Sequence, residues 1–114
     1  MNHGLPESAV SKICGVFERF PEIERAILYG SRAKGTHKNG SDIDLTLEGN
    51  TLDVSRLGSI ADALDDLLLP YQIDLSIRHA IQQADLLEHI ERVGQVFYQK
   101  GDNNLFHRQL EEIA

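Results

Sequence analysis

Hydrophobic positions follow two different periods along the chain, and these separate its helices from its strands. Apolar residues recur at helical spacing over residues 6–20, 53–69 and 81–93, which predicts three amphipathic helices. Pro21 and Pro70 follow the first two segments, where a helix should end. The apolar stripe of the second helix consists of Leu57, Ile60, Ala61, Leu64, Leu67 and Leu68.

Strand signals fall between the helical segments. The short apolar run 26–29 ends at Gly30-Ser31, which indicates a strand entering a tight turn. Residues 42–48 alternate strictly between apolar and polar, and residues 71–77 do so again, so each segment predicts a strand with one buried face. The polar positions of these two strands are Asp42, Asp44, Thr46, Glu48, Gln72, Asp74 and Ser76.

The order of the elements is helix, strand, loop, strand, helix, strand, helix. This order predicts an α/β or α+β domain in which helices pack on one face of a small mixed sheet. The other face, which carries the aspartates of the two alternating strands, is then uncovered. The loop falls at residues 35–40, and residues 96–98 form either a closing strand or an extension of the third helix. We expect one domain over residues 1–100, followed by a tail, 101–114, that is a terminal helix or partly disordered.

The charge balance argues against a general nucleic-acid binder. The formal net charge is −7, and the basic residues form no stripe along any segment. A local basic cluster, Arg32, Lys34, His37 and Lys38, lies between two segments that carry candidate chemistry. Such a cluster suits a small polyanion.

Cysteine, histidine and hydropathy patterns exclude several other classes. Cys14 is the only cysteine, so no intramolecular disulfide can form, and its place on the apolar side of the first helix favours buried packing over catalysis. No apolar run is long enough to span a membrane, and we expect a cytoplasmic protein. Five histidines lack the close spacing of a zinc site and are expected on the surface or on helix faces: His3, His37, His79, His89 and His107.

Three aspartates form the candidate metal site. Asp42 and Asp44 project from the same strand face, about 6 to 7 Å apart along the chain. If the registers match, Asp74 joins them from the neighbouring strand. Hard carboxylate oxygens suit Mg²⁺, and without a cation the three charges would repel one another and raise at least one pKa. The alternative is an ordinary solvated strand face.

Gly30-Ser31 is the candidate phosphate site. Glycine allows a phosphate to approach the backbone, and the serine hydroxyl and nearby amides can donate to phosphate oxygens. The alternative is an ordinary turn at the end of a strand. The segment lacks the Gly-Lys-Ser/Thr ending of a P-loop, and the chain contains no Gly-x-Gly-x-x-Gly for a dinucleotide.

Three motifs occur in a fixed order: GSRAKG at residues 30–35, SDIDL at 41–45 and QIDL at 72–75. They resemble the signature of the DNA polymerase beta nucleotidyltransferase superfamily, and especially its minimal branch. That signature is a Gly-Ser at a strand-to-helix turn, an Asp-x-Asp further along, and a third carboxylate on a later strand. The resemblance covers residues 26–77 and implies a polymerase-beta-like nucleotidyltransferase fold; the flanking helices match only in outline.

The resemblance also implies a two-metal reaction with Mg²⁺, for which Mn²⁺ is a possible substitute. Asp42 and Asp44 would hold one ion against the triphosphate. All three aspartates would hold the other, with Asp74 as proton acceptor for the attacking hydroxyl.

Nucleotide binding would fall to the first motif. The Ser31 hydroxyl and the Gly30 backbone would position the β- and γ-phosphates, while Arg32 and Lys34 would offset their charge. A solvated surface position is the alternative for Lys34.

Minimal nucleotidyltransferases of this kind resemble the antitoxin half of HEPN/MNT toxin–antitoxin pairs. The resemblance implies transfer of AMP from ATP to a tyrosine of an all-helical HEPN partner, in a homo- or hetero-oligomer. One alternative is nucleotidyl transfer to a small molecule such as an aminoglycoside, with the acceptor site made by a separate helical subunit or by a homodimer. The other is a noncatalytic protein that neutralises its partner by occlusion.

Overall fold

A computed structural model of the chain describes residues 4–38 and 40–101. The elements are α1 (Glu7–Glu18), β1 (Arg25–Tyr29), α2 (Gly30–Lys34), β2 (Ile43–Glu48), α3 (Val54–Asp65), β3 (Ile73–Ile77), α4 (Ala84–Val93) and β4 (Gln95–Gln99). A 3-10 turn, Arg78–Ala80, connects β3 to α4. The tail expected at residues 101–114 lies, beyond Gly101, outside the described residues.

The four strands form one mixed sheet in the order β3-β2-β1-β4. β1 pairs antiparallel with both β2 and β4, whereas β2 and β3 run parallel and are joined through α3. A parallel pair needs such a long crossover, which explains why a helix separates the two alternating segments. The fold class predicted from the sequence is confirmed, and residues 96–98 belong to a closing strand.

One face of the sheet carries the main hydrophobic core. The apolar positions of β2, which are Ile43, Leu45 and Leu47, are fully buried, as the alternation predicted. They pack in one cluster with Phe17 of α1 and Ile60 of α3, so these two helices cover the same face.

The second face is covered in part by α4, whereas the sequence pattern predicts that it is uncovered. Ile27 points away from the main core, and its Cγ2 lies close to Gly94 at the end of α4. Two residues along β1, the ring of Tyr29 meets the ring of His89 edge to face, with centroids 6.1 Å apart. The signal for a second layer was present in β1, because a short strand that is apolar at consecutive positions is typically buried on both sides.

Helix α3 ends at Asp65, a turn earlier than the predicted end at residue 69. Leu67 and Leu68 donate to carbonyls three residues back, and Leu68 has a left-handed φ of 55°. Its side chain is 88% exposed and does not join the apolar stripe assigned to it. Asp62, Asp65 and Asp66 lie at this end of the helix, where acidic side chains oppose the helix dipole and no basic residue offsets them, and this favours the early end.

Cys14 is buried on the inner side of α1, as predicted, and its thiol contacts the Phe97 carbonyl oxygen at 3.7 Å. Burial, with a smaller effect of Glu18, raises the pKa of the thiol to about 12. The longest helices, α1 and α3, have 12 residues each, and no helix among the described residues has the length and apolar character of a membrane span.

Candidate active site

Asp44 and Asp74 face each other across the parallel pair β2–β3. The register places them directly opposite one another and places Thr46 opposite Ser76. Asp42 immediately precedes β2, two residues before Asp44 and therefore on the same side of the chain. The matching registers that the sequence analysis required are present.

The carboxyl group of Asp44 has a raised pKa. Burial raises its pKa to about 6, and the neighbouring charge of Asp74, a hydrogen bond with Asp74 and the charge of Asp42 act in the same direction. Asp44 is half-buried, whereas Asp42 and Asp74 are exposed, and Asp74 Oδ1 accepts from Gln72 Nε2 at 3.5 Å. The three carboxyl groups thus lie close enough together for the charges of Asp42 and Asp74 to act on Asp44.

Gly30 begins α2 directly beside Asp44. Its φ is 76°, a left-handed value that favours glycine, and a Cβ at this position would overlap Asp44 Oδ2. Ser31 follows as a half-buried residue, and Gly35 caps the other end of α2 with a φ of 80°. The turn that the sequence analysis assigned to phosphate therefore lies next to the carboxylates, and it opens a short helix that the element order had treated as a loop.

Arg32 is 2% exposed and ties α2 to the start of β2. Its Nε and a terminal nitrogen donate to the Ser41 carbonyl oxygen at 3.2 and 2.9 Å, and its guanidinium carbon lies 5.2 Å from the centre of the Tyr71 ring. Ser41 directly precedes Asp42, so these contacts fix the segment that carries the first aspartate. Lys34 is exposed. Contact of either side chain with nucleotide stays a prediction.

The basic cluster of the sequence comes together only in part. Arg32, His37 and Lys38 line one cleft of about 340 Å³ beside Tyr71, whereas Lys34 does not. The turn at the end of this loop is closed by the Lys38 amide, which donates to Ser41 Oγ at 2.8 Å. Three basic residues thus share one cleft, and the backbone of Lys38 also closes the turn that precedes Asp42.

A group of hydroxyls beneath the aspartates was missed by sequence reasoning. Ser76 Oγ donates to Thr46 Oγ1 at 2.9 Å, and Thr46 is fully buried although its strand position suggested solvent. Burial raises the pKa of Tyr29, the charges of Asp44 and Asp74 add to this, and a hydrogen bond with Ser76 opposes it. The signal was available, because Thr46 and Ser76 each follow an aspartate by two residues and so share its face.

His89 was also missed, since the sequence analysis placed it among surface or helix-face histidines. It lies on α4, and its Nε2 accepts a hydrogen bond from the Gly30 amide at 3.2 Å. The two residues are 59 positions apart, and no local pattern links them.

Within residues 4–38 and 40–101, no three histidine, cysteine, aspartate or glutamate side chains are already arranged to hold a metal ion. The donor set nevertheless fits a divalent cation such as Mg²⁺, because it consists of hard carboxylate oxygens whose mutual repulsion a cation would relieve. Burial is the main cause of the raised pKa of Asp44, and the charges of Asp74 and Asp42 add to it, which is the part that a bound cation would relieve.

Comparison with known proteins identifies a family model that matches most of the chain. The family model described as "Polymerase beta, Nucleotidyltransferase" matches residues 11–103. No curated protein matches the chain.

Several solved structures share the fold at low sequence identity. A chain of a toxin–antitoxin complex with AMP-PNP is 23% identical with a TM-score of 0.63, and the match covers 96% of this chain and 86% of that one. A chain of the MntA–HepT toxin–antitoxin complex is 20% identical with a TM-score of 0.61, covering 95% and 86%. A chain of a tri-AMPylated Shewanella oneidensis HEPN toxin in complex with MNT antitoxin is 20% identical with a TM-score of 0.60, covering 94% and 84%.

Proposed function

The chain belongs to the polymerase beta nucleotidyltransferase family, and we propose that it transfers AMP from ATP to a tyrosine hydroxyl of an all-helical HEPN-type toxin, which it thereby silences as an antitoxin. One observation carries the proposal: Asp44 lies opposite Asp74 in register and in contact with the Gly30-Ser31 turn. Carboxylates and a phosphate-binding turn at one place are what transfer from a nucleoside triphosphate requires.

Asp42, Asp44 and Asp74 would bind two Mg²⁺ ions. Mn²⁺ could replace Mg²⁺ at the same ligands. When bound there, the cation would offset the charge that develops on the leaving pyrophosphate and would lower the pKa of the attacking hydroxyl. At the Gly30-Ser31 turn, the Ser31 hydroxyl and the backbone amides would bind the β- and γ-phosphates.

The transfer itself is a substitution at the α-phosphorus. The acceptor oxygen forms a bond to that phosphorus, the bond to the bridging oxygen of pyrophosphate breaks, and Asp74 takes the hydroxyl proton. Asp74 suits this role because it is exposed and lies on β3, an edge strand, where a large acceptor can approach. Arg32 would act by fixing the Asp42 segment, and Lys34 would contribute charge from the surface.

A protein acceptor is favoured over a small one by two observations. Asp74 is exposed on β3, an edge strand of the described sheet, and the described residues contain no second lobe that would enclose a small substrate. The solved structures of similar fold also include complexes named as toxin–antitoxin pairs, one of them with an AMPylated HEPN toxin. These relatives support the choice of partner and of AMP as the transferred group.

The test is the double variant Asp42→Asn/Asp44→Asn, which removes two candidate metal ligands at nearly unchanged side-chain size. Transfer of labelled AMP from ATP to the HEPN-type partner should fall by several orders of magnitude, while a pull-down of that partner should be unaffected. Asp62→Asn/Asp65→Asn on α3 is the matched control, since it changes the net charge equally at two exposed positions.

The outcomes separate the alternatives. If the double variant rescues the growth of cells expressing the partner as well as the parent does, the protein works by occlusion and the enzymatic proposal is wrong. If the parent labels an aminoglycoside or another small acceptor instead of a protein, the reaction class stands and the toxin assignment fails.

A further inference from the structure

Helix α2, which begins with the candidate phosphate turn, is stabilised by hydrogen bonds to side chains of other elements. Helix α2 has five residues, and an isolated helix of that length is unstable in water. Its first amide, that of Gly30, donates to His89 Nε2 at 3.2 Å, and near its other end the Ala33 carbonyl accepts from Gln95 Nε2 at 3.0 Å. Both side chains come from the C-terminal part of the described chain.

The support for α2 is itself fixed to the sheet. Ile90, the residue after His89, is buried, and Gly94 at the end of α4 lies against Ile27 of β1. The His89 ring also meets the Tyr29 ring edge to face, at an interplanar angle of 82°. His89 is therefore held between the strand that enters the turn and the first amide of the turn.

The position of Gly30 determines the geometry of the site, because Gly30 is in van der Waals contact with the Asp44 carboxylate and Ser31 follows it directly. A small shift of the Gly30 amide would change the distance between the Ser31 donors and Asp44. An imidazole nitrogen accepts a hydrogen bond only when it carries no hydrogen, so this contact uses the neutral ring with its hydrogen on Nδ1.

We propose that His89 is a positioning residue for nucleotidyl transfer: it accepts the Gly30 amide hydrogen and so orients the Ser31 hydroxyl and amide toward the triphosphate beside Asp44. The inference rests on the proposed function. In this arrangement the Gly30 amide hydrogen is already bonded to His89. The phosphates then bind to the Ser31 hydroxyl and amide.

Two substitutions distinguish the role of the His89 hydrogen-bond acceptor from the role of its aromatic ring. His89→Gln keeps an acceptor at the reach of Nε2 without the ring, and His89→Phe keeps a ring against Tyr29 without the acceptor. Glu88→Gln, at an exposed neighbouring position of α4, is the control. For each variant we would measure the KM for ATP, the KM for the protein acceptor, kcat, the affinity for ATP with Mg²⁺ by calorimetry, and the thermal midpoint.

His89→Phe should lower kcat/KM for ATP about five- to tenfold, the loss expected for one hydrogen bond, without changing the KM for the acceptor. His89→Gln should stay within about twofold of the parent, and the Gly30 amide resonance should shift in the Phe variant more than in the Gln variant. A loss through global destabilisation would instead lower the thermal midpoint and affect both substrates.

Full activity and ATP affinity in His89→Phe, or an equal loss in both variants, would overturn the assignment of His89 and leave the proposed function intact. If the parent binds no ATP in the presence of Mg²⁺, the proposed function fails, and the inference built on it fails with it. If the parent binds ATP but labels no partner, the calorimetric comparison of the two variants still decides the role of His89.

Discussion

Gly30 and Asp44 are in contact where β1 enters α2, and the glycine leaves no room for a side chain between its backbone and the carboxylate. This contact joins the candidate phosphate turn to the central carboxyl of the acidic group. The spacing of the two parts of the site therefore depends on the Gly30 backbone on one side and on the Asp44 side chain on the other.

Gly30→Ala should therefore damage both stability and activity. Gly35→Ala is a matched control, because Gly35 also has a left-handed φ and caps the same helix but a Cβ there would meet nothing within 4 Å. We expect Gly35→Ala to cost about 1–2 kcal/mol of unfolding free energy from backbone strain alone, and Gly30→Ala to cost about 2 kcal/mol more because of the overlap. Denaturant titration measures both, and equal losses would contradict the contact.

The raised pKa of Asp44 predicts an unusual pH dependence. Because the folded state holds this proton more tightly than the unfolded state, the stability contributed by protonated Asp44 is lost as the pH rises from about 4 through about 6. Asp44→Asn should then stabilise the metal-free protein at pH 7.5 by about 1 kcal/mol, after allowing for screening at a half-buried site. Thermal midpoints at pH 4.5 and 7.5 test this, and a variant less stable than the parent at pH 7.5 would refute it.

ATP and Mg²⁺ should stabilise the protein together and not separately. Each compensates the charge of the other at the aspartates, so at about a hundredfold excess over the Kd the unfolding free energy should rise by about 2.7 kcal/mol. Ser31→Ala should reduce this gain without changing the stability of the ligand-free protein, since it removes one hydroxyl from a turn. An equal gain from ATP in the presence of a chelator would contradict the metal site.

Arg32 should be structurally irreplaceable by lysine. Its planar group donates twice to one carbonyl and stacks on Tyr71, and lysine can reproduce neither the paired donors nor the stacking. We expect Arg32→Lys to cost about 1–2 kcal/mol of unfolding free energy, whereas Lys34→Ala at an exposed position should change it by less than about 0.5 kcal/mol. Comparable effects of the two changes would show that the Ser41 contact is not stabilising.

Cys14 should be chemically silent in the folded protein. With a pKa near 12 and a buried side chain, its thiol offers almost no thiolate at pH 8. Alkylation by iodoacetamide should therefore be slow in buffer and fast in denaturant, as mass spectrometry can follow. Rapid modification of the native protein would contradict this burial.

The sequence by itself determined the features that depend on residues close together in the chain: strand faces, the order of elements and short motifs. Strict alternation over residues 42–48 gave the buried row Ile43, Leu45, Leu47 and the opposite row that bears Asp42 and Asp44, because successive strand residues must point to opposite faces. The order of helices and strands gave the fold class, and three short motifs gave the family that the comparison confirms. Helix ends were less well determined, since α3 stops before the proline that was expected to end it.

Tertiary structure alone decided which distant residues complete the site. Whether Asp74 lies opposite Asp44 depends on the register of β3, which the long crossover through α3 leaves open in the sequence. The burial of Arg32, the burial of Thr46 and the contact between His89 and Gly30 depend on where α4 and the loop before β2 come to lie. Gly30 and His89 are 59 positions apart, and only the packing of the whole domain sets the distance between them, because no local period carries that information.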